Sequence, residues 1–451
     1  MIEKLSHNLR QASLYIFLGL LAYMPFHIFL STWLGTSWGI LEFAKVAKDI
    51  VLFIGFVITF GLSVRQPWFK ELLRSKIVWA ILAYGALTVL MALIKPTDQD
   101  AEILGVVYNT RFLLYFLYGL MLTRLFPDAG LQGKAVKIVV AAGILVALFG
   151  VIQYTLLPNT ALQHIGYSRE NGVLPAFFID EKPDLERVMS TVRDPNSLGS
   201  YLIITAVVML TVFFATKRKE TKQVMIGGLI LTGLCLAFTF SRSALIGFVV
   251  AISLFILLSD NPVRRWLLEH RKKVAAGVVV LLVAAAGIFY SVRNTYYVQN
   301  VIFHADQSTV LEDPNQLRIR FWQESVLAIV LEPAGTGPGT AGLASIRNDK
   351  QGTVLNENYY LQIANEVGLL GIFLFLALLL LVAYGLYRRR AYMLSVALLA
   401  AFTGLALTNV LVHIWSNEAV AYTWWGLASL MFIRKPTPLP PQLKKLTKIT
   451  A

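Results

Sequence analysis

Apolar runs of about 17 to 23 residues recur along this chain, and each can cross a hydrocarbon core of about 30 Å as a helix rising about 1.5 Å per residue. Twelve are read, at about 12–30, 43–63, 77–94, 103–122, 135–157, 196–215, 223–240, 243–259, 274–290, 360–386, 392–412 and 419–433. Unpaired backbone groups are costly in lipid, so these runs are expected to be helices. With 57% hydrophobic and 15% charged residues, the chain reads as an all-α polytopic membrane protein, with residues 1–451 forming a single integral membrane domain. The seventh and eighth runs are separated only by Phe240-Ser241-Arg242-Ser243. Together they exceed about 35 residues, too long for one crossing, so a turn is expected there.

Basic residues alternate between successive loops. About 26 of the 40 Lys and Arg fall on the N-terminal segment, on every second loop and on the tail 434–451. The positive-inside rule makes that side cytoplasmic, with both termini on it, in the cell inner (cytoplasmic) membrane. A net charge of +14 then reflects flanks that face anionic lipid, and no nucleic-acid partner is needed to explain it. The single Cys235 excludes a disulfide within one chain, and the six His show no ligand spacing, so neither metal nor cofactor is expected.

Two loops on the opposite face are unusually long, 158–195 and 291–358. Long loops beside membrane helices commonly cover or build a site. In the larger one, Asp313-Pro314 is a helix start, and Leu317, Phe321, Val326 and Ile329 mark an apolar stripe, which predicts a surface helix over 314–331. On it, Arg320 and Glu324 are four apart and can pair, whereas Arg318 has no acidic residue three or four positions away. Arg318 therefore ranks above Arg320 as a ligand-binding cation. The turn Gly335-Thr-Gly337-Pro-Gly339 offers backbone amides to an anion, although a plain turn is the commoner role. It lacks the strand, helix and Lys of a phosphate loop, so nucleotide binding is not expected.

Further cations sit where they are expensive. Arg111 interrupts the fourth run, where a charge faces a cavity or an internal partner. Arg193 and Arg242 lie at outward turns, where Arg is disfavoured and more often meets a specific anion. Guanidinium matches phosphate oxygens bidentately and does not deprotonate. A phosphate held at the outer face of a membrane points to a lipid-linked phosphate or pyrophosphate.

The ordered motifs resemble the O-antigen ligase/polymerase superfamily of bacterial membrane glycosyltransferases, over about residues 100–435. They are Arg193-Asp-Pro-Asn196-Ser-Leu-Gly, Ser241-Arg242-Ser243, Arg318-x-x-x-Trp322, Pro333-x-Gly-x-Gly-Pro-Gly339 and Asn358-x-Tyr360-Leu-Gln362-x-x-x-Glu366-x-Gly368. The resemblance implies a metal-independent, inverting transfer of a glycan from undecaprenyl pyrophosphate to an acceptor hydroxyl on the periplasmic or external face. It implies that Arg242 and Arg318 hold the pyrophosphate. Arg193, Asn196, Trp322, Asn358 and Tyr360 from the same motifs, together with Arg111 and Arg320, are further candidates for binding pyrophosphate or glycan. Ligase members carry His before the Asn of the last motif, and this chain has Glu357. A carboxylate can take the hydroxyl proton, so Glu357 is the catalytic candidate there, with an ion pair to a site Arg as its competing role. The departure leaves open ligase or polysaccharide polymerase, and an acceptor that is a glycan, a lipid or a protein. The rival classes are a transporter or flippase for lipid-linked glycans and a membrane scaffold. A convincing six-plus-six repeat, expected of many transporters, is not found.

Overall fold

The computed structural model describes residues 2–127, 130–179, 182–296, 298–299, 314–349, 354 and 356–433. The expected N-cap Asp313 and the tail 434–451 lie outside the described residues. The helices before the first long loop are α1 (Ile2–Tyr23), α2 (His27–Ser37), α3 (Leu41–Val64), α4 (Phe69–Leu73), α5 (Lys76–Ile94), α6 (Gln99–Leu125) and α7 (Gly130–Leu156). A hairpin of β1 (Phe177–Ile179) and β2 (Lys182–Arg187) follows, then α8 (Pro195–Ala215), α9 (Lys219–Phe238), α10 (Arg242–Leu258), α11 (Pro262–Glu269) and α12 (Arg271–Val292). The chain closes with α13 (Pro314–Leu331), α14 (Tyr359–Tyr387), α15 (Met393–Asn409) and α16 (Glu418–Met431).

The protein is a mostly helical polytopic membrane protein, and each of the twelve apolar runs falls on a helix. Eight segments among the described residues are long and apolar enough to cross a membrane, or nine if α10 and α11, bent by 82°, count as one. The first joins α1 and α2 through a short 3-10 turn at Met24–Phe26. The last run is different. α16 has 14 residues, about 21 Å at 1.5 Å per residue, and every one of them is buried. It is a core element, packed by Tyr422 on Tyr115 and by Trp425 on Phe112 and Phe116 of α6.

Close helix contacts use small residues, as lipid offers no hydrophobic drive between helices. α10 meets α15 at Gly247 and Gly404, where a Cβ on Gly404 would stand 2.3 Å from the Gly247 carbonyl oxygen. The expected turn between runs seven and eight is present. α9 ends at Phe238, Phe240 takes a left-handed φ of 48°, and the Ser241 side chain caps α10 by accepting from the Ala244 amide.

Loops separated by charge counting also separate in space. On the Lys/Arg-rich set, Arg124 reaches Glu71 at 3.8 Å and Gln132 donates to the Leu430 carbonyl. On the other set, Thr97 donates to the Pro338 carbonyl, Arg347 meets Glu42 at 3.3 Å, and Tyr296 donates to Asp184 at 3.0 Å. The expected 314–331 helix has those bounds and packs on α14, with Leu317, Phe321 and Ile329 of the expected stripe half-buried and Val326 the exception. Val326 is half exposed and lies with Ile319, Leu327 and Val330 on an outward apolar stripe.

Candidate functional site

The loop 158–195, the start of α8, α13, Glu357 and the segment 411–417 enclose a cavity of about 460 Å³. Its charged lining comprises Arg187, Arg193, Arg318, Asp194 and Glu357. Asp194 is the N-cap of α8, and its carboxylate accepts from the Ser197 amide at 2.9 Å and the Ser197 hydroxyl at 2.6 Å. Glu357 accepts from Nε of Arg318 at 2.8 Å and lies 2.8 Å from its Nη2, both through Oε2. Arg318 thus lacks a partner along its own helix but finds one 39 residues later. The competing role of Glu357, an ion pair with a site Arg, is what the geometry displays.

Sequence reasoning passed over Arg187. This residue ends β2, donates from Nε to the Thr239 carbonyl at 3.0 Å and from Nη2 to Asn196 Oδ1 at 2.9 Å. Burial, with the nearby cations Arg242 and Arg318, pushes its guanidinium below the ordinary value, and Asp194 opposes that shift. A buried cation bonded to neutral acceptors and flanked by two more cations is stabilised by an incoming anion. Its signal was in the sequence, because it is an Arg in an outward loop, the criterion already applied to Arg193 and Arg242.

Backbone strain gathers around this cavity. The three described non-glycine residues with left-handed φ are Ser190 at 53°, Phe240 at 48° and Glu357 at 45°. Each costs about 1 kcal/mol or more. Ser190 lies between Arg187 and Arg193 and is held by bonds from its amide to Gln153 and from its hydroxyl to the Val146 carbonyl. Phe240 lies between Thr239, which accepts from Arg187, and Arg242. The strained residues are those that aim the arginines and the carboxylate.

The glycine turn after α13 has found its anion within the chain. The Gly339 amide donates to Oε1 of Glu366 at 2.8 Å, and Oε2 accepts from Asn109 at 2.7 Å. Thr336 and Gly337 amides donate to the Asn365 and Glu366 carbonyls. A Cβ on Gly339 would stand 2.2 Å from the Ala101 carbonyl oxygen, so the glycines permit a tight wedge between α6 and α14. The plain-turn role stands, and Glu366 is a second carboxylate that position alone did not single out.

Arg111 lies in a paired cluster. It meets Glu418 at 3.0 Å and Asp49 at 3.8 Å, and donates to the Ser416 carbonyl at 2.7 Å. Lys48 bridges the same two carboxylates at 3.1 and 3.6 Å. The cluster lines a smaller chamber of about 230 Å³ that shares Gly172, Val173, Arg193 and Leu343 with the main cavity.

Other candidates fall elsewhere. Asn196 lines the cavity, but its carbonyl is engaged by Arg187. Asn358 is the N-cap of α14, accepting from the Tyr360 and Leu361 amides, and the Tyr360 hydroxyl donates to the Ala406 carbonyl. Neither lines the cavity. Trp322, half-buried one turn from Arg318, borders the outward groove of α13 and does not line the cavity. Arg320 is exposed and 3.8 Å from Glu324, the helix-surface pair expected from their spacing. Arg242 opens α10 with its side chain exposed, outside the cavity lining yet near enough to bear on Arg187.

A family model described as O-Antigen ligase matches residues 227–376. An O-antigen polymerase of Salmonella muenchen is 20% identical over 331 residues, covering 72% of this chain and 78% of that protein. Both matches support the resemblance of this chain to the O-antigen ligase/polymerase superfamily. That similarity supports a glycosyltransferase-type enzyme of a bacterial membrane, in a family whose members act on lipid-linked glycans. The matched segment takes in Arg242, Arg318, the glycine turn, Glu357 and Glu366. Arg187, Arg193 and the segment 411–417 lie outside it and reach the same site only through the fold.

Proposed function

We propose that this protein transfers a glycan from undecaprenyl pyrophosphate to an acceptor hydroxyl on the outer face of the bacterial cytoplasmic membrane, by a metal-independent, inverting displacement. The observation that carries this reading is the cavity built on Arg187, a buried guanidinium with neutral acceptors and cationic neighbours. Pyrophosphate is already a good leaving group, so the protein's task is to stabilise the charge that grows on it and to position the nucleophile. Arg187, Arg318 and Arg242 take the pyrophosphate, and Arg193 with Asn196 borders it on the side of the smaller chamber. Glu357 holds Arg318 in place until phosphate oxygens compete for the guanidinium. Charge alternation puts both termini on the cytoplasmic side, loops 158–195 and 291–358 outside and the basic tail inside.

The acceptor separates two readings. Addition to a finished lipid core or another surface molecule makes the protein a ligase. Addition to a second lipid-linked glycan makes it a polymerase; the matching family model is described as a ligase and the Salmonella relative as a polymerase, so both acceptor classes are tested. Purified protein in detergent, given undecaprenyl-pyrophosphate glycan, a chelator and each acceptor class in turn, is expected to release undecaprenyl pyrophosphate and form one new glycosidic product. Donor recovered intact in every arm, with the protein folded, would overturn the proposal.

A further inference from the structure

We infer that α13 is an interfacial helix whose outward face is sunk in the bilayer leaflet at that end of the bundle, so that lipid covers it. The depth of the helix stands apart from the transferase reading, and its consequence for transfer rests on that reading.

The argument begins with the side chains around the helix. Leu317, Phe321 and Ile329 are half-buried and Ser325 is buried, on a helix that packs on α14. A second apolar row, Ile319, Trp322, Val326 and Val330, recurs at spacings of three and four residues, with Leu327 and Leu331 beside it. Leu327, Val330 and Leu331 are 58%, 70% and 70% exposed. Among the described residues of α13, the exposed polar side chains are Gln316, Arg320, Gln323 and Glu324. A helix apolar on two faces needs two apolar surroundings. The bundle supplies one.

The second is identified by what the end of the helix is tied to. Glu332, directly after α13, pairs with Lys95 at 3.3 Å, directly after α5. The Leu369 amide of α14 donates to the Pro333 carbonyl at 2.9 Å. Both α5 and α14 are long and apolar enough to span a membrane, and at this junction both carry exposed apolar side chains, Leu93 and Ile94 on α5, Leu369, Leu370 and Phe373 on α14. On a spanning helix such side chains face lipid. Val330 and Leu331 therefore adjoin a lipid-facing surface, and the stripe of α13 extends it. Trp322 on the stripe and Lys95 at the junction are residue types that settle at headgroup depth, the indole by its amphipathic ring and the lysine by snorkelling.

Arg318 is on the same helix and lines the cavity. Lipid contact along α13 thus seats that guanidinium at the level of the headgroups, where a phosphate carried on a lipid lies.

The test uses the full chain in nanodiscs of phosphatidylethanolamine and phosphatidylglycerol. The native Cys235 is buried, so Leu327→Cys, Val330→Cys and Arg320→Cys each offer one accessible thiol to a bimane label, with background read from the unsubstituted protein. Labels from Leu327→Cys and Val330→Cys are expected to be quenched about threefold more by doxyl-labelled lipid than by aqueous iodide, and the label from Arg320→Cys in the reverse order. Iodide quenching on the stripe equal to that from Arg320→Cys would overturn the inference. Protection from both quenchers, the result of a second copy or another protein covering the stripe, would overturn it too. The double substitution Leu327→Glu with Val330→Glu lies outside the cavity lining and is expected to lower glycan transfer in nanodiscs about tenfold at an unchanged unfolding temperature. Transfer within about twofold of normal would overturn the seating of Arg318 by lipid. Absence of transfer by the unsubstituted protein would overturn the transferase reading and leave the quenching to decide the depth of α13.

Discussion

Two arginine-centred regions lie side by side in this molecule, separated by the wall at Arg193, and they are built on opposite principles. Around Arg111 the cations Lys48 and Arg111 meet the carboxylates Asp49 and Glu418, and the Ser416 carbonyl accepts one more bond. Around Arg187 a buried guanidinium bonds only neutral acceptors, with Arg242 and Arg318 nearby. The first cluster has settled its charge within the chain. The second borders the larger cavity, with Arg187 bonded to neutral acceptors and Arg318 held by the exchangeable Glu357 carboxylate, which is what a charged substrate requires. An arginine inside a membrane protein is therefore diagnostic of function only once its partners are known.

The largest effect should come from breaking the settled cluster. Arg111→Ala leaves the buried Glu418 without its nearer cation, with only Lys48 at 3.6 Å, and is expected to cost about 3–5 kcal/mol of stability. Thermal unfolding in detergent reads it, and the double substitution Arg111→Met with Glu418→Gln should recover much of the loss. An unchanged unfolding temperature in Arg111→Ala would remove the contrast between the two regions.

Next in size, Arg187→Ala and Arg318→Ala should each lower glycan transfer about 100- to 1000-fold, the scale of losing one donor to a developing anion, with little change in unfolding temperature. If either variant instead melts early and its residual folded fraction transfers normally, the open region is structural after all. A smaller change is expected for Glu357→Gln, which keeps the shape and removes the charge. Transfer should fall about tenfold, or about 1.4 kcal/mol, mostly through donor KM. A loss as deep as that of Arg318→Ala would make the Glu357 carboxylate a direct participant. Arg320→Ala should change transfer less than twofold, because an exposed pair is worth about 0–1 kcal/mol, and a tenfold fall would return Arg320 to the site.

The site was only partly legible from the chain. Arg318, Arg193 and Glu357 were chosen from composition, topology and motif order, and all three line the cavity. Asn358 and Tyr360 belong to the same motifs but serve α14 as cap and as packing contact, because a motif marks residues that a segment needs without separating ligand from scaffold. Trp322 is four residues from Arg318, yet it borders the outward groove of α13 and does not line the cavity. Arg187 lacks any distinctive neighbours in sequence, and its meaning depends on burial and on the neutral partners it finds.

By itself the sequence determined the membrane-embedded helical class and the division of loops between two ends, because lipid imposes backbone pairing and apolar length on each run independently of the others. It also determined the turn at Ser241, since a local cap and a length limit suffice there. Only the tertiary structure decided which charges neutralise one another, that Glu366 answers the glycine turn, that α16 lies buried in the bundle, and that Arg187, Arg193 and Arg318 line one cavity. Those are outcomes of desolvation and of pairing between segments up to 373 residues apart, and local composition does not encode the distance between them.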